Sequence, residues 1–491
     1  MPRRGIERDR DRVAVAGAVG WRAGSLARWG RGGHSAPSHG SGPSVPDSTD
    51  PMTLSRCLRL VLPLLALAVA VPSLAADAAA QTFAIRNARV HTMAGPPLEG
   101  ATVLVRDGRI AAVGSAVAVP AGVWVIDATG MELTPGFIDS ATQIGVVEIE
   151  AYGNTNDRYV SNDRITAAFN VADGYNPLST LIPVTRVEGI TRAVVRPSPR
   201  GSLIAGQGIL VDLGDGPAVS RIHRDPVAMF ATLGETGAAI AGGARGAATL
   251  VLREALQDAR DYAANRAAWE RNARRDYALS RLDLEALVPV VQGRLPLVVQ
   301  ADRASDILTA LRLREEFDLR MVIMGAAEGW MVAQDLARVG VPVIVYPLQN
   351  IPGFERLGST LENAARLDRA GVTVLIGTGD LDAATSSHNT RNLKQAAGNA
   401  AAYGMPHDAA LAAITSVPAR VWGVADDYGT IEPGRAADLV LWSGDPLELT
   451  TLVEGVWIRG EEMPEETRQR LLFERYRDRE PLPQAYDRGQ R

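Results

Sequence analysis

Outside its first 51 residues the chain carries four histidines, His91, His223, His388 and His407, one cysteine, Cys57, and one lysine, Lys394. One thiol excludes an intramolecular disulfide, a cysteine-based zinc site and an iron–sulfur cluster. Schiff-base and carboxylated-lysine chemistry have Lys394 as their one candidate. A transition-metal site needs several N, S or O donors that converge, and four scattered histidines do not supply them. Carboxylates are better placed. Asp302 and Asp380 each follow a strand-length apolar run, where they can act as an acid/base pair or hold an amine. Their other reading is structural: Asp302 pairs with Arg303 or another arginine, and Asp380 caps the following turn. The Gly-rich stretch 201–208 (GSLIAGQG) lacks the Gly-Lys-Ser/Thr ending of a phosphate loop.

These residues need a scaffold. The 491 residues are 46% hydrophobic and 22% charged, enough for one large domain and a smaller one. A net charge of −5 argues against a nucleic-acid partner. Residues 82–133 read as short strands joined by Gly-rich turns: 83–90, 101–105, a hairpin turn at Asp107-Gly108, then 109–113 and 123–126. Strand-length apolar runs at 136–138, 191–195, 297–299, 321–323, 343–346 and 374–376 then alternate with helical stretches such as 304–316, 329–339 and 361–370. That alternation predicts a parallel sheet with helical crossovers, and some 290 residues suit a (β/α)₈ barrel. Residues 247–286, charged and helical, read as an insertion. Strands return at 437–442 and 453–458, and the chain from 464 is charged and polar. The expected fold is α/β: a TIM-like barrel with a small β-sandwich domain built from both chain ends. The sandwich takes residues 81–134 and 429–462, the barrel takes 135–428 between them, and 463–491 form a polar tail.

From Met52 the sequence reads as a secretory signal peptide over 52–80. It has Arg56 and Arg59, an apolar run at 60–71, and small residues at Ser73-Leu74-Ala75 and Ala78-Ala79-Ala80. The run is short for a membrane span. Residues 1–51, rich in Arg, Gly and Ser, read as disordered or as an early start ahead of Met52. The expected location is outside the cytoplasm, in the periplasm, with no membrane anchor after cleavage.

Three segments resemble one family. They are VLVRDGRI (103–110) leading to TPGFID (134–139), the βα series 297–380, and AAITSVPA (412–419) followed by GTIEPGRAADLVLWSGDP (429–446). Together, over 83–460, they resemble the amidohydrolase superfamily, nearest to its exported imidazolonepropionase-like members. The resemblance implies a hydrolase of C–N bonds in a cyclic amide or peptide-like small molecule, in which one or two divalent metals activate water and polarise the scissile carbonyl. It also locates the metal ligands. The first strand's His-x-His falls on Ala141 and Gln143, the fifth-strand histidine on Gln300 or Asp302, and the sixth-strand histidine on Met324 or Gly325. The eighth-strand aspartate corresponds to Asp380, one residue late after Gly377-Thr378.

The expectation is therefore no resident cofactor, with a hard cation held weakly by Asp302, Asp380 and Glu328 as the alternative. Asp380, Asp302 and Glu328 are the catalytic candidates. Gln143, Gln300, Gln207 and His388 are the substrate-binding candidates, and residues 152–164 are expected to line the cleft. Two functions follow: a hydrolase with an eroded metal site, or an inactive member that binds a small molecule or partners a related amidohydrolase, as homo- or hetero-oligomer.

Overall fold

The computed structural model describes residues 82–149, 152–349, 352–379 and 386–477. The leader-like segment, the stretch before it and Asp380 lie outside the described residues.

The chain opens with β1 (Phe83–Val90), whose apolar residues would change face halfway along if the strand were regular. Asn87 prevents this. It adopts φ 64°, inserts one extra residue, and returns Ala88 and Val90 to the core already entered by Phe83 and Ile85. β2 (Leu98–Arg106) and β3 (Arg109–Gly114) form a hairpin on Asp107-Gly108, both at positive φ, as the primed turns of hairpins require. β4 (Trp124–Asp127) pairs with the first half of β1, and β5 (Glu132–Pro135) with the second. At the far end of the chain, β14 (Leu439–Trp442) pairs antiparallel with β5 and carries β15 (Val453–Ile458) and β16 (Glu461–Glu462). Strands from both chain ends thus share one sheet and one core, in which Phe83 stacks on Trp457.

Between these ends lies a second eight-stranded sheet. It runs in spatial sequence from β6 (Phe137–Thr142) through β7 (Ile190–Val195), β8 (Ile204–Asp212), β9 (Ile222–Thr232), β10 (Leu297–Ala301), β11 (Met321–Gly325) and β12 (Val343–Val345) to β13 (Val374–Ile376). Thr378, just past β13, donates to Asp139 of β6 at 3.0 Å, so the sheet curls into a nearly closed barrel. The lumen is apolar: Ala141, Val194, Leu210, Phe230, Val298, Val322, Met324, Ile344 and Leu375 pack together with Trp422.

The expectation of an all-parallel sheet is corrected. β8 runs antiparallel to both β7 and β9, so hairpin links replace two helical crossovers. The Gly-rich stretch 201–208 supplies the first residues of β8, from Ile204. There the missing side chains serve close approach: a Cβ on Gly208 would lie 2.8 Å from the Val195 carbonyl oxygen and 2.5 Å from the Phe230 ring. β9 escaped notice because charged residues and Pro226 interrupt its apolar pattern.

Below the barrel, buried Arg192 of β7 donates from Nε to Asp438 at 2.7 Å, and its guanidinium lies 3.4 Å from the Tyr428 ring centroid. Among the described residues no helix is long and apolar enough to cross a membrane.

Candidate functional site

The mouth of the barrel is formed where β6, β7, β10, β11 and β13 end. β6 ends Asp139-Ser140-Ala141-Thr142 and Gln143 follows it, all fully buried. Asp139 accepts from the Ala141 amide at 2.9 Å and from Thr378 at 3.0 Å. Burial pushes its carboxyl up to about 6, against the pull of those hydrogen bonds and of Arg196. Ala141 faces the apolar lumen beside Met324. Gln143 uses both ends of its amide: Nε2 donates to Ser198, and Oε1 accepts from Arg158 at 2.8 Å. Arg158 and Arg196 are both buried, so two guanidinium groups lie on the first- and second-strand side of the mouth.

Across the mouth, Gln300 pairs in register with Met324 and is half-buried. Asp302 accepts from the Ala327 amide at 3.3 Å. Its carboxyl is held above the usual range by burial and by Glu328 and Asp306, against the pull of the Ala327 amide and Arg356. β11 ends at Gly325 for a spatial reason: at φ 93° its missing Cβ would stand 2.6 Å from Asp302 Oδ1. A histidine there would need the Asp302 carboxylate to shift and would strain the backbone at that φ. Beyond β13, a Cβ on Gly379 would lie 2.4 Å from the Tyr346 ring, so that aromatic covers the strand end.

The other candidates separate. Glu328 lies close enough to Asp302 to act on its carboxyl, and two backbone amides hold its own carboxylate. Its Oε2 accepts from the Ala304 amide at 3.0 Å, at the start of the helix Ala304–Phe317, and its Oε1 from the Gly358 amide at 2.9 Å. It is a bolt between two loops. Gln207, in mid-β8, donates to the Ala167 carbonyl at 3.0 Å and shapes the loop. His388 is exposed on the short helix Ser386–Asn389. The other described histidines pair with carboxylates: His91 with Glu132 (2.5 Å), His223 with Asp212 (2.7 Å) and His407 with Asp445 (2.9 Å).

The structure thus keeps Gln143, Gln300 and Asp302 at the mouth. It adds Asp139, Arg158, Arg196, Ser198 and Thr378, which sequence reasoning did not single out. Arg158 lies within the stretch 152–164 expected to line the cleft, and Arg196 directly follows β7, so position along the strands was the available signal.

Among the described residues, few of the expected ligand positions carry a metal donor. The first-strand positions are an apolar Ala141 and an amide held by a guanidinium. The sixth-strand positions are a lumen methionine and a glycine overlain by Asp302. Among the described residues, no three His, Cys, Asp or Glu side chains group as metal ligands do.

Comparison with known proteins gives concordant matches. Residues 314–463 match the model of the amidohydrolase family. The chain is 23% identical over 433 residues to Amidohydrolase tasK of Hapsidospora irregularis, a match covering 78% of this chain and 43% of that protein. It therefore spans less than half the length of that curated relative. The crystal structure of an amidohydrolase from Thermotoga maritima MSB8 superposes with a TM-score of 0.71 at 28% identity, covering 78% of this chain and all of that one. A prolidase crystallised with N-methylphosphonate-L-proline shares the fold at 17% identity and a TM-score of 0.50, over 79% of this chain and all of that one.

Proposed function

We propose that this chain, which belongs to the amidohydrolase superfamily and is by homology a member of a hydrolase family, works as a small-molecule-binding or partner subunit without the family's metal-assisted step. The observation that carries the reading is the Arg158–Gln143 hydrogen bond of 2.8 Å, which commits a first-strand ligand position to a guanidinium. The apolar packing of Ala141 and the overlap of Gly325 with Asp302 support it at two more positions. More than half of the Hapsidospora relative lies outside the matched stretch, which leaves length there for a further domain. A related amidohydrolase with its histidines intact is the partner this reading calls for. The test is metal content by mass spectrometry after dialysis, alongside hydrolysis of a panel of cyclic amides and dipeptides. Zinc well below one per chain and no turnover are expected; near-equimolar zinc would overturn the reading.

One observation favours a second reading, a metal-independent hydrolase of C–N bonds in a cyclic amide or peptide-like substrate. Burial shifts the Asp302 carboxyl above the usual carboxylate range, the direction a general acid needs. In that case Asp302→Asn abolishes turnover while leaving thermal stability near that of the parent. Unchanged rates in this variant would reject the second reading.

The leader at 52–80 supports export to the periplasm. N-terminal sequencing of exported protein is expected to start within residues 75–81, and a mature chain that retains 60–71 would contradict export with cleavage.

A further inference from the structure

Arg186 closes the short helix Leu181–Arg186 and is 2% exposed. It precedes the start of β7, at the opposite end of that strand from the mouth. Its guanidinium is bonded along one side. Nη1 donates to the Leu213 carbonyl at 3.1 Å and to Asp215 at 2.9 Å. Nε is buried with no hydrogen-bond partner, and among the described residues Nη2 has none either. The Nε–H and the neighbouring Nη2–H point the same way. Together they are the edge with which an arginine grips a carboxylate through two parallel hydrogen bonds. Asp215 is 63% exposed, so water screens the one carboxylate paired with this buried charge.

Arg186 also lines a cavity of about 230 Å³. Val187, Val453, Val456, Met463 and Pro464 give it an apolar wall. Glu465 and Arg470 line it too, but they pair with each other at 2.7 Å, and Arg470 also reaches Glu474 at 3.4 Å. Leu213 and Asp215, which hold Nη1, do not line it, so the Nε–Nη2 edge is the side of Arg186 left for it.

We propose that this cavity binds a small apolar monocarboxylate, with its carboxylate on the Nε–Nη2 edge of Arg186 and its body against the valines and Met463. A buried N–H of a charged group is costly to leave unsatisfied, and a carboxylate satisfies two at once. Water would serve those N–H groups but would leave the apolar wall wet. One guanidinium beside Glu465 suits a single negative charge, whereas the second charge of a phosphate would go unmatched. A cavity of about 150 Å³ holds benzene, so by proportion this one takes roughly nine non-hydrogen atoms, the size of benzoate.

The experiment titrates the full chain with benzoate by calorimetry, beside benzamide, which has the same shape without the charge. Benzamide is expected to bind at least about tenfold more weakly than benzoate. Two substitutions are each expected to weaken benzoate by about tenfold or more. Arg186→Gln removes the forked edge, and Val453→Phe fills the cavity with the charges intact. Asp215→Asn is expected to act the other way and tighten benzoate, because it takes away the carboxylate that shares the guanidinium. That direction separates a ligand site from a structural arginine. Asp215 is largely in solvent, so this variant keeps the test decisive where Arg186→Gln fails to fold, and circular dichroism checks the fold of each. No binding of benzoate up to millimolar concentration, equal binding of benzamide or phosphate, or an affinity unmoved by Val453→Phe or by Asp215→Asn would each overturn the proposal.

Discussion

Asp139 is a carboxyl in a fully buried place, and its protonation is tied to stability. Its carboxyl is raised from 3.8 to about 6 in the fold, chiefly by burial. A folded state that holds the proton more tightly than the unfolded chain is stabilised at low pH. That contribution is fully present below about 4, and it is lost as pH rises through 6. The span is worth on the order of 3 kcal/mol. Asp139→Asn keeps an oxygen for the Ala141 amide and a donor for the Thr378 hydroxyl. Its unfolding midpoint in urea is therefore expected to fall less than the parent's between pH 4 and 7. A parallel decline in both proteins would refute this account. Also at this scale, Ala141→His with Gln143→His is expected to raise zinc affinity only modestly, measured by competition with a chelator. The new imidazoles would lack fifth- and sixth-strand partners, and Arg158 would lose its amide acceptor.

Among the elements, β8 shows how backbone proximity sets composition. Gly208 sits where the strand passes the Val195 carbonyl and the Phe230 ring. Gly208→Ala is expected to cost about 1–3 kcal/mol in chemical denaturation, because the methyl meets backbone as well as a side chain. A cost below about 0.5 kcal/mol would mean that β7 and β8 separate easily. Glu328 works at the same scale. By accepting the Ala304 and Gly358 amides it fixes the loop after β11 against two neighbours on the Asp302 side of the mouth.

Across the whole molecule, the barrel and the C-terminal strands are joined through buried charge. Arg192, fully buried on β7, donates to Asp438, which leads into β14. Asp438 also accepts the Arg459 amide at 2.9 Å, next to the end of β15. Asp438→Ala would remove the carboxylate that accepts from the buried Arg192 guanidinium and leave Asp212 as the remaining acid beside it. The expected loss is about 3–5 kcal/mol, read from equilibrium unfolding, with Asp438→Asn intermediate. A loss under about 1 kcal/mol would show that stacking of Arg192 on Tyr428 suffices to hold the charge.

Local pattern determined much of this molecule. The limits of β1 and β13, the hairpin at Asp107-Gly108 and the two β segments flanking a βα region are all legible in periodicity and turn residues, since those signals act between neighbours in the chain. The absence of histidine at the expected ligand positions is likewise a property of the sequence. Only the tertiary structure decided which polar residues meet. Gln143 and Gln207 are the same residue type at strand positions, yet one amide is bound to Arg158 and Ser198 inside the mouth while the other is pinned to the Ala167 carbonyl. The direction of β8 and the pairing of Asp139 with Thr378, 239 positions away, were decided there too. The physical reason is the same in each case: a hydrogen bond or a close backbone approach depends on distance in space, and residue spacing along the chain carries that distance only within one element and its turn.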